Sequence, residues 1–124
     1  MKTGKTGRLG EDAACAYLEK KGHRIVTRNY HSKDGEVDII STAGGYIVFT
    51  EVKTRKQNTV VSGFEAVDLN KRRKIYLTAV KYMAESETDL QPRFDVIVVT
   101  PKNGRMETQH IENAFGAEVC DEVF

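Results

Sequence analysis

Cysteine is scarce in this chain and long apolar runs are absent, and each lack excludes a class of protein. Cys15 and Cys120 are too few for a disulfide scaffold and form no metal-ligand pair in sequence, so free thiols, buried or half-buried, are expected. The apolar runs are a few residues long, far short of the ~20 needed to span a bilayer. The N-terminus carries no apolar targeting core, so no membrane partner and a cytoplasmic setting are expected. His23, His31 and His110 form no HxH or HExxH arrangement, which argues against zinc and against a histidine base. There is no internal repeat.

What is present is ordinary in amount and uneven in placement. At 124 residues, 40% hydrophobic and 30% charged, the chain is long enough for one domain with a real core, spanning residues 1–124. A net charge of +1 conceals a segregation: residues 53–81 carry eight Lys or Arg against two acidic residues, and residues 85–124 carry nine acidic against three basic. A basic segment of this kind suits a polyanion, and it equally suits a solvated helix face.

Residues 1–7 are small, basic and glycine-rich and are expected to be flexible. Leu9, Ala13, Ala14, Ala16, Tyr17 and Leu18 predict a helix from about Leu9 to Lys20, closed by Gly22. A first strand is expected over His23–Tyr30, at an edge of the sheet because of its charges. Glu36–Ser41 and Tyr46–Thr54 flank the turn at Ala43-Gly44-Gly45 and are expected to pair antiparallel. After a polar, irregular stretch over Gln57–Gly63, a long helix is expected from Glu65 to about Ala84. Leu69, Arg72, Tyr76, Ala79, Val80 and Met83 would form its inner face, and Lys71, Arg73, Lys74 and Lys81 its outer one. Strands over Arg93–Thr100 and Met106–Ile111 complete a mixed α/β layer fold.

Asp38, Glu51 and Lys53 carry the chemical interest. Alternation along a strand puts Ile47, Phe49, Glu51 and Lys53 on one face, apolar at one end and ionic at the other. A hairpin turning near Gly44 would bring Asp38 close to Glu51. A carboxylate on an apolar strand costs several kcal/mol unless compensated, so its placement needs a reason. Two crowded carboxylates are relieved by a cation, and oxygen-only ligands favour magnesium or manganese. Lys53 would then orient water or phosphate. The bland alternative is a solvent-facing salt-bridge ladder of little energetic weight. Glu11, at a helix start, serves equally as a capping acid or as a third ligand. Glu36 competes with Asp38 but lies less deep in its strand. Arg55, Lys56, Lys71, Arg72, Arg73 and Lys74 could contact phosphates or simply face solvent. Arg93 and Asp95, on one strand face, are expected as an internal ion pair.

The ordered motifs Gly7-x-x-Gly10-Glu11-x-x-Ala14, Arg28-Asn29-Tyr30, Gly35-Glu36-Val37-Asp38-Ile39-Ile40, Phe49-x-Glu51-Val52-Lys53-x-Arg55, Lys71-Arg72 and Arg93-Phe94-Asp95-Val96 resemble the UPF0102 family, also called YraN. That family resembles the PD-(D/E)xK nucleases, particularly archaeal Holliday junction resolvases. The resemblance implies a restriction-endonuclease-like mixed β-sheet flanked by helices. It also implies Glu11, Asp38, Glu51 and Lys53 as the catalytic set, with the three acids holding Mg2+ or Mn2+. Val37 stands where the superfamily's proline is expected, and Thr50 where a valine is frequent. The implied activity is endonucleolytic hydrolysis of structured or branched DNA in repair or recombination. A symmetric junction would require a two-fold homodimer. A non-catalytic nucleic-acid-binding accessory protein is the alternative.

Overall fold

The computed structural model describes residues 5–56 and 67–121. Its elements are α1 (Lys5–Lys20), β1 (Arg24–Ser32), β2 (Gly35–Ala43), β3 (Tyr46–Thr54), α2 (Leu69–Ser86), β4 (Gln91–Lys102), β5 (Arg105–Phe115) and α3 (Glu118–Asp121). The five strands form one sheet in the order β1-β2-β3-β4-β5. All neighbours are antiparallel except β3 and β4, which run parallel and are connected through α2. This mixed sheet between helices is the expected α/β architecture and is consistent with a restriction-endonuclease-like fold.

The sheet is covered on both faces, which explains why β3 and β4 are each buried over six consecutive central positions. On one face Ile40, Ile47, Phe49, Phe94, Val96 and Val98 pack against Ile75 and Ala79 of α2, with Val119 of α3 closing the end. On the other, Ala14, Cys15 and Leu18 of α1 pack on Ile39, Val52, Ile97 and Val99. Alternation along β4 thus puts Phe94, Val96 and Val98 on one face and Ile97 and Val99 on the other. β1 lies at the sheet edge, with Val26 about half exposed beside a bulge in its pairing.

Four details differ from the sequence reading. Helix α1 starts at Lys5, so residues 5–7 are helical while residues 1–4 lie outside the described residues. Leu9 is half exposed, and the buried stripe is Gly10, Glu11, Ala14, Cys15 and Leu18. In α2, Val80 is 49% exposed, and Ile75, Thr78 and Ala79 are the buried positions. Leu69, Tyr76, Ala79 and Met83 of the expected inner face do pack on the core, and the helix is capped by Asp68, which accepts from the Lys71 amide at 2.9 Å, later than the expected start at Glu65. Strand β5 runs on to Phe115, held by pairing between Phe94 and Phe115. The irregular stretch expected over Gln57–Gly63 lies outside the described residues. Among the described residues, no helix is long and apolar enough to cross a membrane. Both cysteines are free thiols, Cys15 buried and Cys120 half-buried, as expected. Burial pushes the Cys15 thiol above its ordinary value.

Candidate active site

The β2–β3 hairpin is regular from Ala43↔Tyr46 to Ile39↔Thr50 and then its ladder stops. One step further, the register would set Asp38 opposite Glu51. There the Val52 amide donates to Asp38 Oδ2 at 2.8 Å, so a side chain takes the place of the backbone ladder. The packing records the same break: Val37 and Ile40 belong to the α2-side core while Ile39 belongs to the α1-side core, so strict alternation fails around Asp38. Asp38 is 1% exposed and Glu51 4%, both at the forked end of the hairpin. That arrangement carries two carboxylates to a sheet end where charge has to be compensated by neighbours.

Several cations approach this end. Lys71, in the first turn of α2, places Nζ 3.7 Å from Glu51 Oε2. Lys53 and Lys56 are exposed. The Arg55 amide donates to the Val99 carbonyl at 2.8 Å, continuing the parallel register past the end of β3. One terminal nitrogen of the Arg55 guanidinium is buried and finds no acceptor among the described residues.

Glu11 reaches the same region from the opposite face. Gly10 sits so close to β3 that a Cβ there would overlap the Thr54 hydroxyl, which brings the start of α1 onto the end of the strand. Glu11 is buried, with Oε1 3.7 Å from Arg28 Nη2, and Arg28 also donates to Asp12 Oδ1 at 2.8 Å. Among the described residues, no three His, Cys, Asp or Glu side chains are gathered closely enough to hold a metal ion. A ligand set of Glu11, Asp38 and Glu51 therefore requires one of them to move. Asp38 and Glu51 alone fit a magnesium ion by donor chemistry, since Mg2+ commonly takes one or two carboxylates and completes its shell with water and phosphate oxygens.

The other sequence candidates separate. Glu36 turns to β1, with Oε2 3.3 Å from His31 Nδ1, which leaves the deeper position to Asp38. The run Lys71–Lys74 does not form one outward face. Arg72 Nε donates to the Val67 carbonyl at 2.8 Å and Arg73 Nε to the Val119 carbonyl at 3.4 Å, while Lys74 is exposed. The run spans a full helical turn, so its members point in different directions.

A second polar group was not legible as a unit in the sequence. Asp95, fully buried, accepts from Arg93 Nε at 3.0 Å and Nη2 at 2.8 Å, from His110 Nε2 at 2.7 Å, and from the Asn113 amide at 3.0 Å. The expected Arg93–Asp95 ion pair is thus present and extended. Burial alone would raise the Asp95 carboxyl, but hydrogen bonds from His110, Arg93 and the Asn113 amide outweigh it and hold Asp95 below the usual range. His23 packs edge-on toward His110, with ring centroids 6.3 Å apart, and is hydrogen-bonded to Ser41 through Nδ1 at 2.9 Å. Burial, then the neighbouring Arg93 charge, lowers the His23 pKa. The two histidines stand 87 residues apart, and no local spacing signals their approach.

The profile of the uncharacterised protein family UPF0102 matches residues 10–99, a span that includes Glu11, Asp38, Glu51, Lys53 and Asp95. The chain is 40% identical over 115 residues to the UPF0102 protein STH1475 of Symbiobacterium thermophilum, covering 91% of this chain and 98% of that protein. It is 43% identical over 113 residues to the UPF0102 protein TTE1452 of Caldanaerobacter subterraneus, covering 88% and 93% respectively. A UPF0102 protein of Syntrophotalea carbinolica is 41% identical over 113 residues, covering 90% and 92%.

Proposed function

The chain belongs to the UPF0102 family, and from that membership and the site geometry we propose a metal-dependent endonuclease that hydrolyses phosphodiester bonds in structured or branched DNA, acting in the cytoplasm in repair or recombination. The observation that carries the reading is the fork at Asp38, where the hairpin ladder ends and the next step of its register falls on two buried acids, Asp38 and Glu51. A structural ladder of surface ion pairs would leave both acids in water.

Asp38 and Glu51 would hold Mg2+ or Mn2+, with Glu11 joining them after a side-chain movement, and the ion would supply a water of lowered pKa and stabilise charge on the phosphate. Lys53, exposed and on the Glu51 face by alternation, supplies a point charge that orients that water or the scissile phosphate. Arg55 follows at the end of β3, where its buried guanidinium nitrogen would have to turn outward to meet a backbone phosphate. Lys56 and Lys74 extend the basic surface. On a four-way junction, two copies related by a two-fold axis supply the two cuts.

The test is incubation of the purified protein with an end-labelled four-way junction and a linear duplex in magnesium. Cleavage is expected, and Asp38→Asn and Lys53→Ala each abolish it; cutting that both variants leave unchanged overturns the assignment. The reading of a binding protein without cleavage draws on one observation, that three ligands are not gathered among the described residues. Its signature is salt-dependent binding with no metal-dependent product.

A further inference from the structure

Lys71, in the basic run at the start of α2, contacts the carboxylate site, and its backbone is held by a cap. Its amide is bonded to the Asp68 cap at 2.9 Å, while the side chain extends to Nζ 3.7 Å from Glu51 Oε2. That distance is an ion pair without a tight hydrogen bond, since direct N–H···O contacts lie near 2.7–3.2 Å. The two partners are unequally placed: the Lys71 side chain is 38% exposed and that of Glu51 5%. A buried carboxylate thus has a charge partner on a flexible stem with room to move.

We propose that Lys71 is the exchangeable counter-ion of the carboxylate site. Its ammonium neutralises Glu51 while the site holds no divalent cation, and it swings from Glu51 to a substrate phosphate when Glu51 takes the cation. The inference rests on the reading of Asp38 and Glu51 as the metal-holding pair, and it adds a coupling between the two ligands. Ammonium and divalent cation compete for one carboxylate, so Lys71 weakens metal binding to the free protein. A phosphate that draws the ammonium away relieves that competition. Nucleic acid then raises metal affinity, and by linkage the metal raises nucleic-acid affinity by the same factor. Such coupling restricts metal loading to the substrate-bound protein.

The experiment is a Mn2+ titration of the full chain, followed by electron paramagnetic resonance, for the unsubstituted protein, Lys71→Met and Lys71→Arg. Methionine keeps the length of the stem and removes the charge. Lys71→Met is expected to bind Mn2+ on the order of threefold to tenfold more tightly, the range of a partly exposed ion pair, with Lys71→Arg within about twofold of the parent. In Ca2+, duplex binding by Lys71→Met should show a salt slope reduced by about one, as for a lost phosphate contact. Circular dichroism melts establish that each variant is folded. Equal Mn2+ affinity in all three folded proteins, or weaker binding by Lys71→Met, overturns the counter-ion role and leaves the metal-holding reading standing. Absence of Mn2+ binding in all three overturns both.

Discussion

Asp38 performs two tasks that single substitutions can separate. Its Oδ2 accepts from the Val52 amide, and its charge contributes to the site. Asparagine keeps an acceptor oxygen and loses the charge, whereas alanine also leaves the buried Val52 amide without that partner. A buried donor left unsatisfied costs about 1–3 kcal/mol. Asp38→Ala is therefore expected to be less stable than Asp38→Asn by about 1–2 kcal/mol in urea denaturation, while both lose metal-dependent cleavage. Equal stability of the two variants would show that the amide contact contributes nothing. Glu36, one side chain away on the same strand, pairs with His31, and Glu36→Gln is expected to retain cleavage within a few-fold of the parent.

At the scale of elements, the approach of α1 to β3 decides where Glu11 lies. Gly10 is the residue that permits it, because a Cβ there would collide with the Thr54 hydroxyl. Overpacking of this kind costs about 1–3 kcal/mol, against a gain of roughly 1 kcal/mol from replacing glycine by alanine inside a helix. Gly10→Ala should therefore destabilise the protein on balance. In a Thr54→Ala background the collision is gone and only an ordinary contact to the Thr54 Cβ remains, so the same substitution is expected to become neutral or stabilising. A double-mutant cycle in urea measures the coupling, and additive effects would contradict the contact. The fork in the β2–β3 hairpin is the other event at this scale. It ends pairing just where the carboxylates begin and turns a regular ladder into a site.

For the molecule as a whole, the buried network around Asp95 ties β4, β5 and the layer beneath α1 together and makes stability depend on pH. The His23 pKa is lowered on folding, so the native state prefers the neutral ring. Its contribution is complete above the unfolded value of about 6.5 and is lost as pH falls through the lower folded value. The Asp95 pKa is also lowered, so its contribution is complete above about 4 and is lost as pH falls through the folded value. Thermal melts between pH 8 and pH 3 should fall in two stages on the acid side. His23→Gln removes the first stage, giving a flatter profile between pH 7 and pH 5. A profile for His23→Gln that parallels the parent would assign the first stage to another group.

Sequence alone determined the main periodic features: the β2–β3 hairpin, the two faces of β4, the long helix α2 and the positions of Asp38, Glu51 and Lys53 along their strands. Those features follow from alternation and from turn residues, which act over a few neighbours. Tertiary structure decided what depends on contacts between distant segments. The approach of Gly10 to Thr54 set α1 against the end of β3. Packing of Ile75 and Ala79 on the sheet left Val80 exposed and set Lys71 beside Glu51. His23, between α1 and β1 and bonded to Ser41 of β2, meets His110 of β5 through the assembly of the whole sheet. A charge pattern in sequence cannot say which cation meets which acid, because that choice belongs to packing at the ends of strands.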